Sequence, residues 1–250
     1  MRGWLAMVRT TMRQLAGGKR LLLFGLLAAL PGVVMWLSSG GLTADGVERR
    51  FDEAPIAILF LVVVPIVSLI LGAGALGDER RDDTLSFLAL RPRPRWSIAA
   101  AKIFAAWLVA AALVAASGAA AAAAVGARSG DWSRLGPVAL GAAVSAMAYC
   151  AVFVPLGYLT ARAVLLGLLY VFIWESGFTF AAASLANVSL FRIGLSAYAG
   201  LVPESRSILD DVLGSVTPGA GGAVAKAIAV AFVATIATGS LLKRRDLGSE

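Results

Sequence analysis

The chain has 250 residues, 59% of them hydrophobic and 15% charged, with one cysteine and no histidine. A soluble domain carries about 25% charged residues, so an ordinary water-soluble fold is excluded, and the missing histidine removes the usual general base, proton relay and commonest metal ligand. The formal charge of +7 fits Lys and Arg gathered on one side of a membrane, and no nucleic-acid partner is expected.

The apolar residues fall in runs of about 20, enough to cross a hydrocarbon core roughly 30 Å thick. Helices satisfy their own backbone groups in lipid, and the alternating segments of about 10 residues that a barrel needs are missing. The fold class expected is an all-α membrane protein, a single transmembrane domain over residues 1–250.

Residues 1–20 come first. Trp4, Leu5, Val8, Met12 and Leu15 recur at helical spacing, with Arg2, Arg9 and Arg13 off that stripe. This suits an interfacial helix with its apolar side down and its basic side toward anionic headgroups. The first span is read at Leu21–Ser38, kinked at Pro31 and too long and too far from the N-terminus for a cleaved signal peptide. The loop Gly40–Glu53 reads as a plain polar connection. The second span runs from about Ala54 to Gly77 through Pro65, the third from about Ile98 to Val125, and the fourth from about Leu135 to Leu159 with Pro155. In the third and fourth, Gly118, Gly126, Gly141, Ala142 and Ser145 permit close helix approach, and Cys150 reads as a small buried hydrophobe.

The fifth span is placed at about Ala163–Ala186. It holds Glu175, the only carboxylate inside an expected span. Such a group is costly in lipid. It marks a translocation route or a helix seam between subunits, or else it lies capped and solvated near the outer interface. Residues 187–222 mix apolar side chains with Gly, Pro and charges, and read as short helices on or in the outer leaflet. The sixth span is about Ala223–Leu242.

Six spans place both termini on one side, and the basic residues choose that side. With the termini inside, the inner segments hold Arg2, Arg9, Arg13, Lys19, Arg20, Arg80, Arg81, Arg91, Arg93, Arg95, Lys102, Arg162, Lys243, Arg244 and Arg245. The outer ones hold only Arg49, Arg50, Arg128, Arg134, Arg192, Arg206 and Lys226, with acidic neighbours such as Glu48, Asp52 and Asp131. Both termini are expected in the cytosol.

Catalysis is not expected: no metal cluster, no Gly-x-x-x-x-Gly-Lys-Ser/Thr loop and no nucleophile elbow is present. No cofactor is expected in this chain. The informative segment is 78–102. Asp82 or Asp83 can cap a helix starting at Thr84, and Pro92 ends it after Leu90. Two turns are not stable alone, and Leu85, Leu88 and Ala89 share one face that needs a docking surface: the membrane, its own bundle or another protein. Arg95 and Trp96 suit the interface where the third span begins.

The order Glu79, Arg80 or Arg81, Thr84, Leu85, Leu88, Pro92, Arg95 and Lys102 resembles the cytosolic loop after the second span in permeases of the ABC type-2 exporter family. That family reads Glu-x-Arg-x-x-Gly-Thr-Leu-x-x-Leu-Leu-x-x-Pro-x-x-Arg before a lysine opening the third span. Asp83 stands where glycine is common, which changes how the helix starts without removing its cap. The basic N-terminal helix, the six spans and the amphiphilic segment before the sixth are also similar. The resemblance implies a permease subunit in the cytoplasmic (inner) membrane that dimerises with itself or a related second permease subunit. It also implies a separate ABC ATPase subunit as partner, which holds the ATP and Mg. Thr84–Leu90 would be the coupling helix, Leu85 and Leu88 its apolar contacts, and Glu79, Arg80 and Arg81 its polar rim. Two other readings of the residues are a non-transport membrane component (assembly, immunity or sensing) and an ion-coupled secondary transporter. The latter calls for several intramembrane charges or a broken-helix repeat, and the sequence offers one such charge and no repeat.

Overall fold

The computed structural model describes residues 2–17, 19–82, 94–178, 189–205, 209 and 218–246. Every element in that set is a helix. Helix α1 covers Arg2–Leu15 and α2 Lys19–Ser38, with Pro31 inside it. Thr43 caps α3 (Ala44–Ile58), its Oγ1 accepting from the Gly46 N–H.

Helix α3 does not stop where the second span begins. A π-helical turn at Leu59–Val63 carries it directly into α4 (Val64–Arg81). Pro65 has no N–H to give, and its ring crowds the carbonyl four residues back. The chain widens just before it, so that the Val64 N–H reaches back to the Leu59 carbonyl. Ala44–Arg81 is therefore one 38-residue helix, about 57 Å long at 1.5 Å per residue. This corrects the reading of Gly40–Glu53 as a plain connection. Most of its polar sequence is the overhang of a helix much longer than the hydrocarbon is thick, with Val47 and Phe51 buried.

Helix α5 spans Arg95–Ser129, and Gly130 ends it at φ +83°, a left-handed conformation that glycine adopts without cost. Helix α6 spans Leu135–Leu159. Helix α7 (Ala163–Leu169) continues into a π-helical segment at Tyr170–Phe178. Helix α8 is Leu190–Ala199 and α9 is Gly219–Asp246.

Among the described residues four helices are long and apolar enough to cross a membrane: Ala44–Arg81, Arg95–Ser129, Leu135–Leu159 and Gly219–Lys243. Leu22–Ser38 and Ala163–Glu175 are shorter apolar helices. The four coincide with the second, third, fourth and sixth expected spans.

Helix α6 is the hub, packed by α4, α5, α8 and α9. Its Tyr149, Cys150, Phe153 and Val154 are fully buried. Gly157 brings α6 against the backbone of α4, where any Cβ would collide with Ala73. Higher up, a Cβ on Gly141 would lie 2.9 Å from the Gly194 carbonyl of α8. Close backbone approach of this kind replaces large-side-chain packing where lipid offers no hydrophobic drive.

The apolar stripe of α1 is turned onto protein rather than lipid alone. Met7 and Val8 cluster with Ile98, Ala101 and Ala105 of α5, and Leu15 reaches the main core. Leu5 is the stripe residue left outside, 59% exposed. The small residues of α5 present a flat surface that accepts the stripe, which the sequence pattern of α1 alone does not reveal.

Candidate functional site

The charged run that ends α4 is split among three partners. Arg81 pairs with Asp78 one turn back at 3.5 Å, on the exposed side. The Glu79 carboxylate pairs with the Lys102 ammonium of α5, which is 1% exposed. Arg80 Nη1 donates to the Tyr158 carbonyl of α6 at 2.8 Å. That carbonyl belongs to the last turn of α6. Two basic residues at the end of α4 also sit favourably in the negative field of that helix terminus.

The arrangement fixes the end of α4 relative to α5 and α6. Glu79 and Lys102 lock α4 to α5, and Arg80 locks α4 to α6. Arg95, the first residue of α5, is half-buried. Of the residues singled out in the sequence, Glu79, Arg80, Arg81 and Arg95 are thus at one end of the bundle. Thr84, Leu85, Leu88 and Pro92 lie outside the described residues. Sequence reading left Arg80 and Arg81 interchangeable, but their directions differ: Arg80 points to α6 and Arg81 back along its own helix. It also took Lys102 as a marker of the third span and missed its ion pair with Glu79.

Beside these charges a cavity of about 290 Å³ opens between α2, α4 and the start of α7. Phe24, Ala73, Gly77 and Ala163 form its apolar wall, and Asp78 and Arg81 stand at its polar side.

Glu175 lies in a different place. It is 1% exposed, so it is not the solvated group that one reading allowed. Its carboxylate accepts from the Tyr170 hydroxyl at 3.0 Å, the Ser189 hydroxyl at 2.5 Å and the Leu190 N–H at 2.7 Å. Ser189 is also the N-cap of α8, accepting from the Arg192 N–H at 3.2 Å. Glu175 therefore clamps the start of α8 to the π-helical segment, with the carboxylate at the positive end of that helix. Tyr170 in turn packs edge-on against Phe153 in the second half of α6. Helix α8 thus starts deep beside α6 and rises along it past Ser145 and Gly141, as the contacts of Gly194 show.

A second polar cluster closes the opposite end, and sequence reading saw its members only as acidic neighbours of basic residues. Arg134, 3% exposed, reaches Asp131 at 2.8 Å, Glu48 at 3.1 Å and Asp52 at 3.8 Å. Asp52 accepts from the Tyr198 hydroxyl at 2.6 Å and the Ser205 hydroxyl at 2.7 Å. Burial works against the Arg134 charge, but the fields of Asp52 and the other carboxylates outweigh it and hold the guanidinium pKa above its ordinary value. Asp131 is held below the usual carboxylate range by the Ser133 N–H and hydroxyl. The only sequence signal was the spacing of Glu48 and Asp52, one helical turn apart.

Among the described residues no group of His, Cys, Asp and Glu is arranged to hold a metal ion. The family described as ABC-2 family transporter protein matches residues 19–182. The match runs from α2 through the charged run at Asp78–Arg81 and past Glu175, and so takes in the cluster at the α4–α5 junction and Glu175, but not its partners Ser189 and Leu190 on α8. No curated protein matches the chain.

Proposed function

From the premise that this chain belongs to the ABC-2 transporter family, as a membrane permease component of an ABC transporter, we propose that it exports a substrate using ATP hydrolysed by a separate ATPase. In this reading the ATP and Mg are bound by the partner, and the chain contributes the path and the mechanical link. The observation that carries the proposal is the double tether at the end of α4. Glu79 on Lys102 and Arg80 on the Tyr158 carbonyl tie the end of α4, after which Thr84, Leu85, Leu88 and Pro92 follow in sequence, to α5 and α6. A push on that segment is then delivered to α4, α5 and α6 together rather than absorbed by a slack loop.

The remaining parts of the proposal follow the same frame. Leu22–Ser38 and Ala163–Glu175 complete six spans, since both are apolar and lie beside the long helices. Both termini face the cytosol of a cytoplasmic-membrane protein, as the placing of Lys and Arg supports. Two permease subunits meet across α2 and α7, whose Leu22, Leu26, Leu165 and Leu169 are more than 40% exposed. The cavity lined by Phe24, Gly77 and Asp78 then faces the shared midline and receives substrate from the inner side. Glu175 holds α8 against α7 beside that route. Co-purification with the cognate ATPase tests the core of this reading. Leu85→Glu and Leu88→Glu are expected to lose the ATPase while the chain still inserts. ATPase retained at wild-type levels in both variants would show that the segment does not couple.

A further inference from the structure

Helix α9 is covered unlike the other long helices: 11% of its apolar window is buried within the chain, against 56–67% for the other three. Its burial is at its ends. Ala223 and Ala227 are buried near the start, Thr238 and Leu242 near the close, and no residue of 228–237 is. Both ends already touch backbone. A Cβ on Gly239 would come within 2.9 Å of the Trp96 Cα of α5, and one on Gly200, just after α8, within 2.4 Å of the Ala220 backbone nitrogen. Between these points α9 meets the bundle along a narrow strip, with Val230, Ala231 and Ala234 half-buried against the core.

An open groove lies on either side of that strip. One, of about 640 Å³, runs between α9, α5 and α1 and is lined by Ile103, Phe104, Trp107, Phe232 and Ile236 among others. The other, of about 480 Å³, runs between α9 and α6 past Ala151, Val152, Pro155, Ala229 and Val233. Phe232 and Val233 are neighbours in sequence, each 65% exposed, and line different grooves. The polar groups here are spent within the chain: the Thr235 hydroxyl donates to the Ala231 carbonyl and the Trp107 indole N–H to the Ala143 carbonyl. Among the described residues Lys226 is the one charged side chain on either lining. A partner helix, about 10 Å across with its side chains, would seat on one flank of α9 and leave the other open. Flexible apolar chains fill both, and walls left without neighbours in the hydrocarbon would forfeit dispersion contacts.

We propose that hydrocarbon chains of bilayer lipids, held without regard to headgroup, occupy the two grooves and join the middle of α9 to the bundle. A ligand that binds the folded chain alone stabilises it in a saturable way. Removing the lipid leaves α9 held at its ends and lowers the unfolding temperature, and returning it restores that temperature.

The test strips the full chain of lipid in detergent and returns phosphatidylcholine with brominated chains. Tryptophan fluorescence, to which Trp96 and Trp107 of the larger groove contribute, is expected to be quenched in a saturable way at a few lipids per chain, and equally by brominated phosphatidylglycerol. Quenching that merely grows in proportion to the lipid in the micelle overturns the proposal, and so does saturation with one headgroup alone. Native mass spectrometry reads the same sites separately. The unmodified chain is expected to retain lipids of both headgroups, and Ala100→Phe, which fills the larger groove, and Ala229→Phe, which fills the smaller, each to retain fewer. Retention unchanged in both variants overturns the proposal. If either variant fails to fold, the saturation measured on the unmodified chain decides. No retained lipid, with a Phe232→Cys disulfide forming between copies, assigns the larger groove to a second copy and overturns it as well.

Discussion

Lys102 enters the bundle two turns into α5, where nothing but a carboxylate could make an ammonium acceptable. Removing one member of a buried pair typically costs 3–5 kcal/mol, whereas replacing both by apolar residues is often neutral. Lys102→Met alone is therefore expected to destabilise the chain by about 3 kcal/mol, and Glu79→Leu with Lys102→Met by clearly less. Thermal unfolding of the four proteins of that cycle in detergent checks this; additive losses would mean that the pair does not interact in the folded state. Lys102 was visible in the sequence as a cation at the start of a span. Its partner was not, because the pairing is set by the crossing of α4 and α5 and leaves no periodic trace.

Glu175 shows the same limit at a single position. Its cost inside an apolar run was legible, but its three donors were not, since Ser189 and Leu190 lie on another element. Glu175→Ala leaves the Leu190 N–H and the Ser189 hydroxyl buried without that acceptor, at about 1–3 kcal/mol each. The expected result is loosening of α8, read as faster labelling of a cysteine placed at the buried Ser196. Unchanged labelling would deny the clamp.

Elements were legible where their period was clean. The α6 boundaries read from sequence, Leu135–Leu159, are those of the structure. The overhang α3 was missed because Asp45, Glu48, Arg49, Arg50 and Glu53 dilute its apolar face, and Pro55 lies inside it. What holds this overhang is Arg134, which ties α3 to the turn before α6, while Asp52 carries the link on to Tyr198 of α8. Arg134→Met strands three carboxylates, Asp52 among them fully buried. It is expected to cost about 3–5 kcal/mol and to expose the start of α3 and the end of α8 to protease. An unchanged proteolysis pattern would show that the cluster is not what closes this end.

For the whole molecule, composition established the membrane class and the family match confirmed the transporter assignment. The hub role of α6 came only from the structure, because its apolar residues cover the entire circumference and give no facing direction. The topology proposed from the basic residues is checked with reporters: an alkaline phosphatase fusion after Asp246 is expected to be inactive and one at Gly130 active. The opposite pattern would invert the orientation and remove the segment 82–95 from any cytosolic partner.

The proposed coupling requires residue 88 to meet an ATPase. A photocrosslinking amino acid placed at Leu88, in membranes containing the ATPase, measures this contact directly. A covalent permease–ATPase product is expected from position 88 and none from Leu140, on the exposed face of α6. A crosslink to lipid or to the permease itself, with no ATPase product from position 88, would contradict the coupling role.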